Sequence, residues 1–466
     1  MSQNRKKVDV AIIGGGLTGL TTAFYLKKAG VDFVLIEEKE RLGGVISTIS
    51  ESGFTVETGP NTGGLSHPEV LDLFDDLGDA CQLEEASPNV NTRLIWKGNR
   101  WHKLPSGIMS GITTPLFTFT DKFRLLGEPF RRKGTNPDEN LAELVKRRMG
   151  KSFLYYAVDP FILGIYAGDP EYLIPRYALP KLYNLEQNYG SCIGGAIKKG
   201  KEQKTEREKR ANRKIFSVKG GLSNLIDALS KYIGSENVML GCKGLTVTHN
   251  NSFSISIENE SKAIEADKVI TTTGSYALPQ MLSFLTDSQK QRLSNLEYAK
   301  VMQLSIGFNE WKGIQLNAFG GLVPSIEKKN LLGILFISSF LDGRAPKGGA
   351  LMSIFVGGFR KPHLFNLSDE ELIELITPDI KQMLGIDTFS PDLLKIFRYK
   401  YAIPQYGIST GERLEAISEL ENQYGGLIIG GNLHGGIGMA DRIKQGRYLA
   451  EQIALQLTQN EKGRID

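Results

Sequence analysis

The residues with the clearest capacity for chemistry are glycines and one acid near the amino terminus. Gly14-Gly15-Gly16-Leu17-Thr18-Gly19 follows the apolar, β-branched run 8–13 and precedes a helical pattern at Leu20, Ala23, Phe24, Leu26 and Lys27. Gly14, Gly16 and Gly19 fit G-x-G-x-x-G in a strand–turn–helix setting. The first permits a tight turn, the second lets a pyrophosphate approach the backbone, and the third lets helix pack on strand. The helix then turns free N–H groups and a positive dipole end toward the phosphates. Gly30 ends the helix, 31–36 reads as a second strand, and Glu37 stands at its end, 23 residues after Gly14 (37 − 14). A carboxylate there accepts hydrogen bonds from ribose hydroxyls. Strand, turn, helix, strand and acid in this order point to a dinucleotide site rather than an ordinary glycine-rich turn.

A second set of small residues follows. Arg41-Leu42-Gly43-Gly44 comes directly after the ribose acid, and Phe54-Thr55-Val56-Glu57-Thr58-Gly59-Pro60-Asn61-Thr62 a little later. Paired glycines let the chain pass close to a bulky cofactor where a side chain would clash. At the other end of the chain, 427–431 reads as a strand, and Asn432-Leu433-His434-Gly435-Gly436-Ile437-Gly438-Met439 as a glycine loop entering a helix. Together these segments resemble the flavin amine oxidase-like enzymes, which implies FAD rather than NAD. That resemblance implies cofactor contacts at Gly14, Gly15, Gly16, Gly19, Glu37, Arg41, Gly43, Gly44, Gly59, Pro60, Asn61, Thr62, Ile437, Gly438 and Met439. The two ends of the chain would then close on one cofactor.

Other patterns carry less. Gly407-Ile408-Ser409-Thr410-Gly411 matches G-x-S-x-G by letter, but no clean buried strand immediately precedes the serine. Gly150-Lys151-Ser152 resembles the end of a P-loop, with Val145 where the first glycine is required. His67, His102, His249, His363 and His434 are too dispersed for a metal site. Cys81, Cys192 and Cys242 are too few and scattered for a disulfide framework, which suits a reducing, cytosol-facing compartment.

The elements that must position these groups belong to a chain of 466 residues, 41% hydrophobic and 23% charged, long enough for two or three domains. The formal net charge of +4 gives no argument for nucleic acid. No apolar signal core precedes the first strand, and no apolar run reaches the ~18–20 residues of a membrane span. Residues 331–341 read as buried strand, 301–308 as strand, and 120–157 as long helix.

The middle of the chain narrows the family. Asp159-Pro160-Phe161-Ile162-Leu163-Gly164-Ile165-Tyr166-Ala167-Gly168-Asp169-Pro170 and Phe319-Gly320-Gly321-Leu322-Val323-Pro324-Ser325 carry the most specific likeness. Leu332-Gly333-Ile334-Leu335-Phe336, Arg344-Ala345-Pro346, Phe355-Val356-Gly357-Gly358 and Ile403-Pro404-Gln405-Tyr406 follow in order. Over nearly the whole chain this resembles the oxygen-dependent protoporphyrinogen oxidases of haem biosynthesis. The likeness implies an α/β fold: a Rossmann-type FAD-binding domain (1–85, 210–275 and 395–466), a mixed-sheet substrate domain (86–99 and 276–394) and a helical, membrane-approaching region (100–209). It implies Arg93 on a substrate propionate, a fixed carboxylate contact suited to a guanidinium, and Gly164, Leu322, Leu335 and Phe355 around the macrocycle.

The reaction implied is six-electron oxidation of protoporphyrinogen IX to protoporphyrin IX, with O₂ as acceptor and H₂O₂ as product. No side chain is assigned as a base, since the flavin is the electrophile. Coproporphyrinogen III is the close alternative; an amine oxidase, a carotenoid desaturase or a non-enzymatic FAD-stabilised partner protein is more distant. Two positions depart from the family pattern: Tyr399 where a tryptophan is expected, and Gly244 where a valine would pack by the adenine. The segment 198–214 carries nine basic and three acidic residues and reads as a solvated insertion or a contact for anionic lipid; 104–119 would dip into a bilayer or pack. The resemblance implies a cytoplasmic protein peripheral to the membrane, handing product to a downstream haem-pathway enzyme; a homodimer is left open.

Overall fold

An apolar run without polar alternation suits a strand covered on both faces, and Lys7–Ile13 forms one at the centre of a parallel array. The computed structural model describes residues 7–88, 90, 92–212, 214–260 and 263–462. The first six and last four residues of the FAD-binding boundaries, and Arg213 of the basic segment, lie outside the described residues. Strand order in the first sheet is Val238–Met239, Phe33–Ile36, Lys7–Ile13, Ile264–Thr271, with Ser252–Ser256 and Thr246–Asn250 continuing antiparallel. Leu427–Ile429 pairs parallel to the end of Ile264–Thr271. Helices Leu17–Lys28 and Met439–Lys462 cross in close contact: Thr22 Oγ1 donates to Gly446 O at 3.2 Å. A Cβ on Gly446 would lie 2.6 Å from Thr18 O. Beneath them Val10, Ile12, Leu20, Phe24, Leu35, Ile443 and Ile453 form one core.

The second sheet runs Leu393–Pro404, Tyr298–Phe308, Ala350–Gly357, Leu331–Leu335, Gly320–Leu322, Arg93–Lys97, Arg100–Lys103. Its pairings are antiparallel except that between Gly320–Leu322 and Arg93–Lys97. Helix Asp369–Leu384 covers one face, packing Leu372, Ile376, Ile380 and Met383 on Met302, Leu304, Ile306 and Ile354.

Several expectations shift. The boundary placed at 395 falls inside strand Leu393–Pro404, whose partners lie in the second sheet. The strand Arg100–Lys103 also belongs to that sheet, so helices begin only after it. The long helix expected over 120–157 is broken into Phe119–Leu126, Leu141–Arg148 and Lys151–Phe153, the last running on through Leu154–Val158. Gly134 and Pro137 occupy the gap, the first entropically costly in a helix and the second unable to donate its N–H. The strand expected over 331–341 stops at Leu335 and gives way to the helical turn Ile337–Phe340. There Ser339 Oγ donates to local backbone, Ala318 O at 2.8 Å and Phe336 O at 2.7 Å, competing with the ladder. In the basic segment, Arg207 and Arg210 are not simply solvated. They pair with Glu69, Asp72 and Asp75 on helix Pro68–Leu77.

The helical region is held by buried charge. Arg148 Nε donates to Glu128 Oε1 at 2.6 Å, both side chains fully buried. Glu128 also accepts the N–H groups of Cys192 at 2.9 Å and Ile193 at 3.1 Å, and the Ser191 hydroxyl. Burial works against the Glu128 charge, but these donors outweigh it and hold the carboxyl below its usual range. The stabilisation is therefore present above the unfolded-state pKa and lost as pH falls through the lower folded value. Glu128→Gln leaves the buried Arg148 cation with Glu186, at 3.2 Å, as its remaining carboxylate, and is expected to cost about 3 kcal/mol, the low end for breaking a buried pair. Thermal melting against pH reads this as a lower melting temperature at neutral pH and a smaller loss on acidification.

Candidate functional site

The tight turn after Lys7–Ile13 is fixed by backbone needs. Gly14 has φ +109°, and a Cβ there would meet Thr272 Oγ1 at 2.8 Å. Gly14 N–H donates to Ile36 O at 2.8 Å, and Thr272 Oγ1 donates to Gly14 O at 2.9 Å. Gly19 lets the helix approach the strand end, since a Cβ would lie 2.0 Å from Gly14 O. Gly16 is different: a Cβ there would have nothing within 4 Å. It caps Leu17–Lys28 with no side-chain hydrogen bond, so the N–H groups of the first turn have no intrahelical acceptor. An open cradle at a helix amino end is what a pyrophosphate needs.

Glu37 is buried, with Gly15 N–H donating to Oε2 at 2.6 Å and Lys39 N–H to Oε1 at 3.0 Å. Each carboxylate oxygen keeps a further lone pair for a ribose hydroxyl. Cys242 N–H donates to Glu37 O at 3.0 Å, bringing the chain around Gly244 beside this acid. Gly244 has φ +59° and its Cβ would meet Glu258 Cβ at 2.8 Å. That left-handed turn disfavours the valine the family pattern suggests.

The second glycine set joins the first. Gly43 N–H donates to Gly15 O at 2.8 Å, and a Cβ on Gly44 would lie 3.3 Å from Gly16 Cα. Arg41 braces this turn, donating to Leu42 O at 3.1 Å, Ile46 O at 3.0 Å and Gly44 O at 2.9 Å. Gly59 passes under Val45, where a Cβ would be 2.2 Å from its carbonyl oxygen. Pro60 and Thr62 are half-buried, while Asn61 is buried. At the far end, Gly431, Gly435 and Gly436 all take positive φ. The loop carbonyls are held from the protein side. Arg442 donates to Gly431 O and, at 3.0 Å, to His434 O; the Tyr406 hydroxyl lies 2.7 Å from Asn432 O and 3.0 Å from Gly436 O. Ile437 is half-buried and Met439 buried, and Gly438 N–H already donates to Asp441 Oδ2 at 3.0 Å. Open cradle, ribose acid and glycine approaches fit FAD.

The second sheet turns one face to these segments. Residues directly opposite in neighbouring strands share a face. One row runs Arg93, Gly320, Leu335, Ser353, Ser305, Lys395; the next runs Ile95, Leu322, Gly333, Phe355, Gln303, Phe397. In the first row Ser353 Oγ donates to Asn61 Oδ1 at 2.9 Å, and in the second Gln303 Nε2 donates to Glu57 O at 2.7 Å. Arg93, Leu322, Leu335 and Phe355 therefore lie on the face that meets residues 57–61. Leu322, Leu335 and Phe355 are half-buried, and Arg93 is exposed with its guanidinium 5.9 Å from the Phe319 ring centroid. Gly164 lies on helix Asp159–Tyr166, where a Cβ would be 2.4 Å from Leu322 Cδ2. Arg360 clamps both ends of that helix, donating to Asp159 Oδ1 and to Asp169 Oδ1, each at 2.6 Å.

Sequence reasoning singled out neither Gln303 nor Ser353, whose partners are remote in the chain and leave no local pattern. Arg344 belongs to the segment 344–346 that carries the family likeness, which gave it no role, and its partners leave no local pattern either. It is buried and donates to Glu57 Oε1 at 3.3 Å, Glu84 Oε2 at 2.9 Å, Ser217 Oγ at 3.1 Å and Val218 O at 2.9 Å. Tyr399 donates its hydroxyl to Thr58 O, a polar tether that tryptophan would not reproduce through a hydroxyl.

A family model described as flavin containing amine oxidoreductase matches residues 17–454. Protoporphyrinogen oxidase 2, chloroplastic/mitochondrial, of Arabidopsis thaliana is 30% identical over 95% of this chain and 93% of the relative. Coproporphyrinogen III oxidase of Bacillus subtilis is 28% identical over 96% of this chain and 97% of the relative. The crystal structure of a proposed protoporphyrinogen oxidase from Exiguobacterium sp. 255-15 shares the fold, with a TM-score of 0.80 at 23% identity over 97% of this chain and 99% of that one.

The contrast between two glycines is testable. Gly16→Val should leave the apoprotein's melting temperature unchanged and weaken FAD binding by more than roughly tenfold, some 1.4 kcal/mol. Gly19→Val should instead destabilise the fold itself. Flavin fluorescence titration beside thermal melting separates the two; wild-type affinity in Gly16→Val would remove Gly16 from the cofactor cradle.

Proposed function

This chain belongs to the flavin containing amine oxidoreductase family, and from that premise we propose that it oxidises protoporphyrinogen IX to protoporphyrin IX in haem biosynthesis. The carrying observation is the sheet face on which Arg93, Leu322, Leu335 and Phe355 meet residues 57–61 through Gln303 and Ser353. An apolar tetrapyrrole with carboxylate arms needs such a surface: apolar area at the centre and a guanidinium at the rim. FAD, when bound, supplies the two-electron oxidation, and three rounds with O₂ as acceptor convert the substrate and three O₂ to porphyrin and three H₂O₂.

The chain's own work is positioning and exclusion of water. Arg93 holds a propionate and fixes the rotation of the ring. Leu322, Leu335 and Phe355 cover its faces, and Gly164 lets helix Asp159–Tyr166 close over them. Loss of hydride from a carbon flanked by pyrroles leaves a stabilised, acidic cation that releases its pyrrole N–H proton to solvent, so no side chain is assigned as a base.

We favour two propionates over the four of coproporphyrinogen III because the other cations on this face are engaged: Lys97 donates to Pro115 O at 2.7 Å and Leu116 O at 3.0 Å, and Arg100 to His102 Nε2 at 3.3 Å. Lys395, the other cation in the Arg93 row, is paired with Glu51 at 2.8 Å. The helical region offers an additional contact. Met109, Ile112, Phe119, Phe123, Leu126 and Phe130 are exposed, Phe130 at 90%, beside Lys122, Arg124, Arg131, Arg132 and Lys133. Apolar side chains among basic ones suit the interface of an anionic membrane. No helix among the described residues is long and apolar enough to cross one.

Three experiments test these readings. Purified FAD-loaded protein offered each porphyrinogen in air, with autoxidation subtracted, should show the higher kcat/KM for protoporphyrinogen IX. Arg93→Ala should raise KM about tenfold or more, from a lost charged hydrogen bond, with flavin content unchanged. Preference for coproporphyrinogen III would overturn the substrate assignment, and turnover of neither would sink the porphyrinogen reading. Phe123→Glu with Phe130→Glu should abolish co-sedimentation with anionic vesicles; unchanged binding would rule out this face as the membrane contact.

A further inference from the structure

Two segments that reach the cofactor region from opposite ends of the chain are tied by one contact. His67 follows the Gly59–Asn61 stretch and immediately precedes helix Pro68–Leu77. Asp441 is the third residue of helix Met439–Lys462, directly after the glycine loop. His67 Nε2 lies 3.0 Å from Asp441 Oδ1, and the other carboxylate oxygen accepts Gly438 N–H at 3.0 Å. Asp441 therefore forms the return half of a capping box on Gly438, with its charge at the positive end of a helix dipole.

The carboxylate also packs against the loop backbone. Gly436 has φ +99°, and a Cβ there would lie 2.3 Å from Asp441 Oδ2. Any side chain at Gly436 would displace the acid, and any movement of the acid would release the peptide at Gly438. Burial opposes the Asp441 charge, yet His67, Gly438 N–H and Arg442 outweigh it and hold the carboxyl below its usual range. The side chain is thus ionised where it sits, and His67 is the group that reaches it from across the site.

We propose that the His67–Asp441 pair positions the flavin loop: by fixing the Gly436–Gly438 peptides it sets how tightly FAD is held and at what potential it works. The proposal rests on the reading that residues 432–439 meet the flavin. His67 and Asp441 are positioning residues; neither touches substrate in this account. The Oδ2 contact aims the loop, the Oδ1 contact anchors Oδ2, and the anchor comes from the segment that also carries Gly59 and Asn61.

The test uses the full chain loaded with FAD. Asp441→Asn keeps an acceptor for Gly438 N–H and removes the charge, while His67→Gln keeps a donor and removes the imidazole contact. Each should raise the FAD dissociation constant roughly three- to tenfold, as expected for losing a charge-assisted hydrogen bond. Asp441→Asn should also raise the flavin midpoint potential, because a lost negative charge favours electron uptake. The double variant should be no worse than Asp441→Asn alone, the mark of one coupled unit. Exchanging the partners, His67→Asp with Asp441→His, should restore part of the affinity.

A purely structural brace would lower the melting temperature and leave both the dissociation constant and the potential at wild-type values, which overturns the proposal. If Asp441→Asn does not fold, His67→Gln alone decides through the same two readouts. Porphyrinogen turnover by the wild-type protein, measured in the same series, keeps the two ideas apart. Turnover with unchanged constants sinks the pair, whereas shifted constants without turnover sink the substrate assignment and leave the pair standing.

Discussion

Parallel pairing of Lys7–Ile13 with both Phe33–Ile36 and Ile264–Thr271 is the constraint on which the rest depends. Parallel neighbours cannot be joined by a hairpin, so the chain must leave the sheet after Ile36 and return more than two hundred residues later. The second sheet and the helical region are built in such excursions. Thr272, at the end of the returning strand, locks the first glycine turn through its contact with Gly14 O. Leu427–Ile429 then adds beside the same strand and delivers the glycine loop and the last helix. The nucleotide cradle is thus assembled from three remote pieces held in register by one ladder.

The junction between the two sheets is polar where a core would be apolar. Gln303, Ser353, Tyr399 and Arg344 reach residues 57–61 or their neighbours with hydrogen bonds, and Arg360 ties helix Asp159–Tyr166 to the second sheet. Buried ion pairs contribute little net stability against apolar isosteres but penalise every arrangement that leaves one partner alone. At this seam the directional contacts fix one spacing between the walls. Apolar contacts alone would allow them to slide or collapse.

How much of this was legible in the sequence follows from how local each constraint is. Gly14, Gly16, Gly19 and Glu37 could be read directly, because turn, cradle and acid are set by neighbours within one strand–helix–strand unit. Leu322, Leu335 and Phe355 could not, since alone they read as core; only the family likeness marked them, and the sheet register places them on one face. The helix expected over 120–157 failed at Gly134 and Pro137, a local signal that periodicity overrode. Gln303 and the His67–Asp441 contact had no signal at all, and Arg344 was marked only by the family likeness: their partners are remote in the chain. The departure at Gly244 became intelligible once its positive φ was known.

We expect a porphyrinogen to deliver its electrons to FAD held between these two sheets. Mixing the oxidised, FAD-loaded protein with protoporphyrinogen IX without air, and following flavin absorbance, tests it most directly. Rapid bleaching of the flavin band is expected, each flavin taking two of the six electrons, with recovery of the band and a rise in porphyrin fluorescence once air is admitted. A flavin that stays oxidised with either porphyrinogen, yet is bleached by an amine, would contradict it.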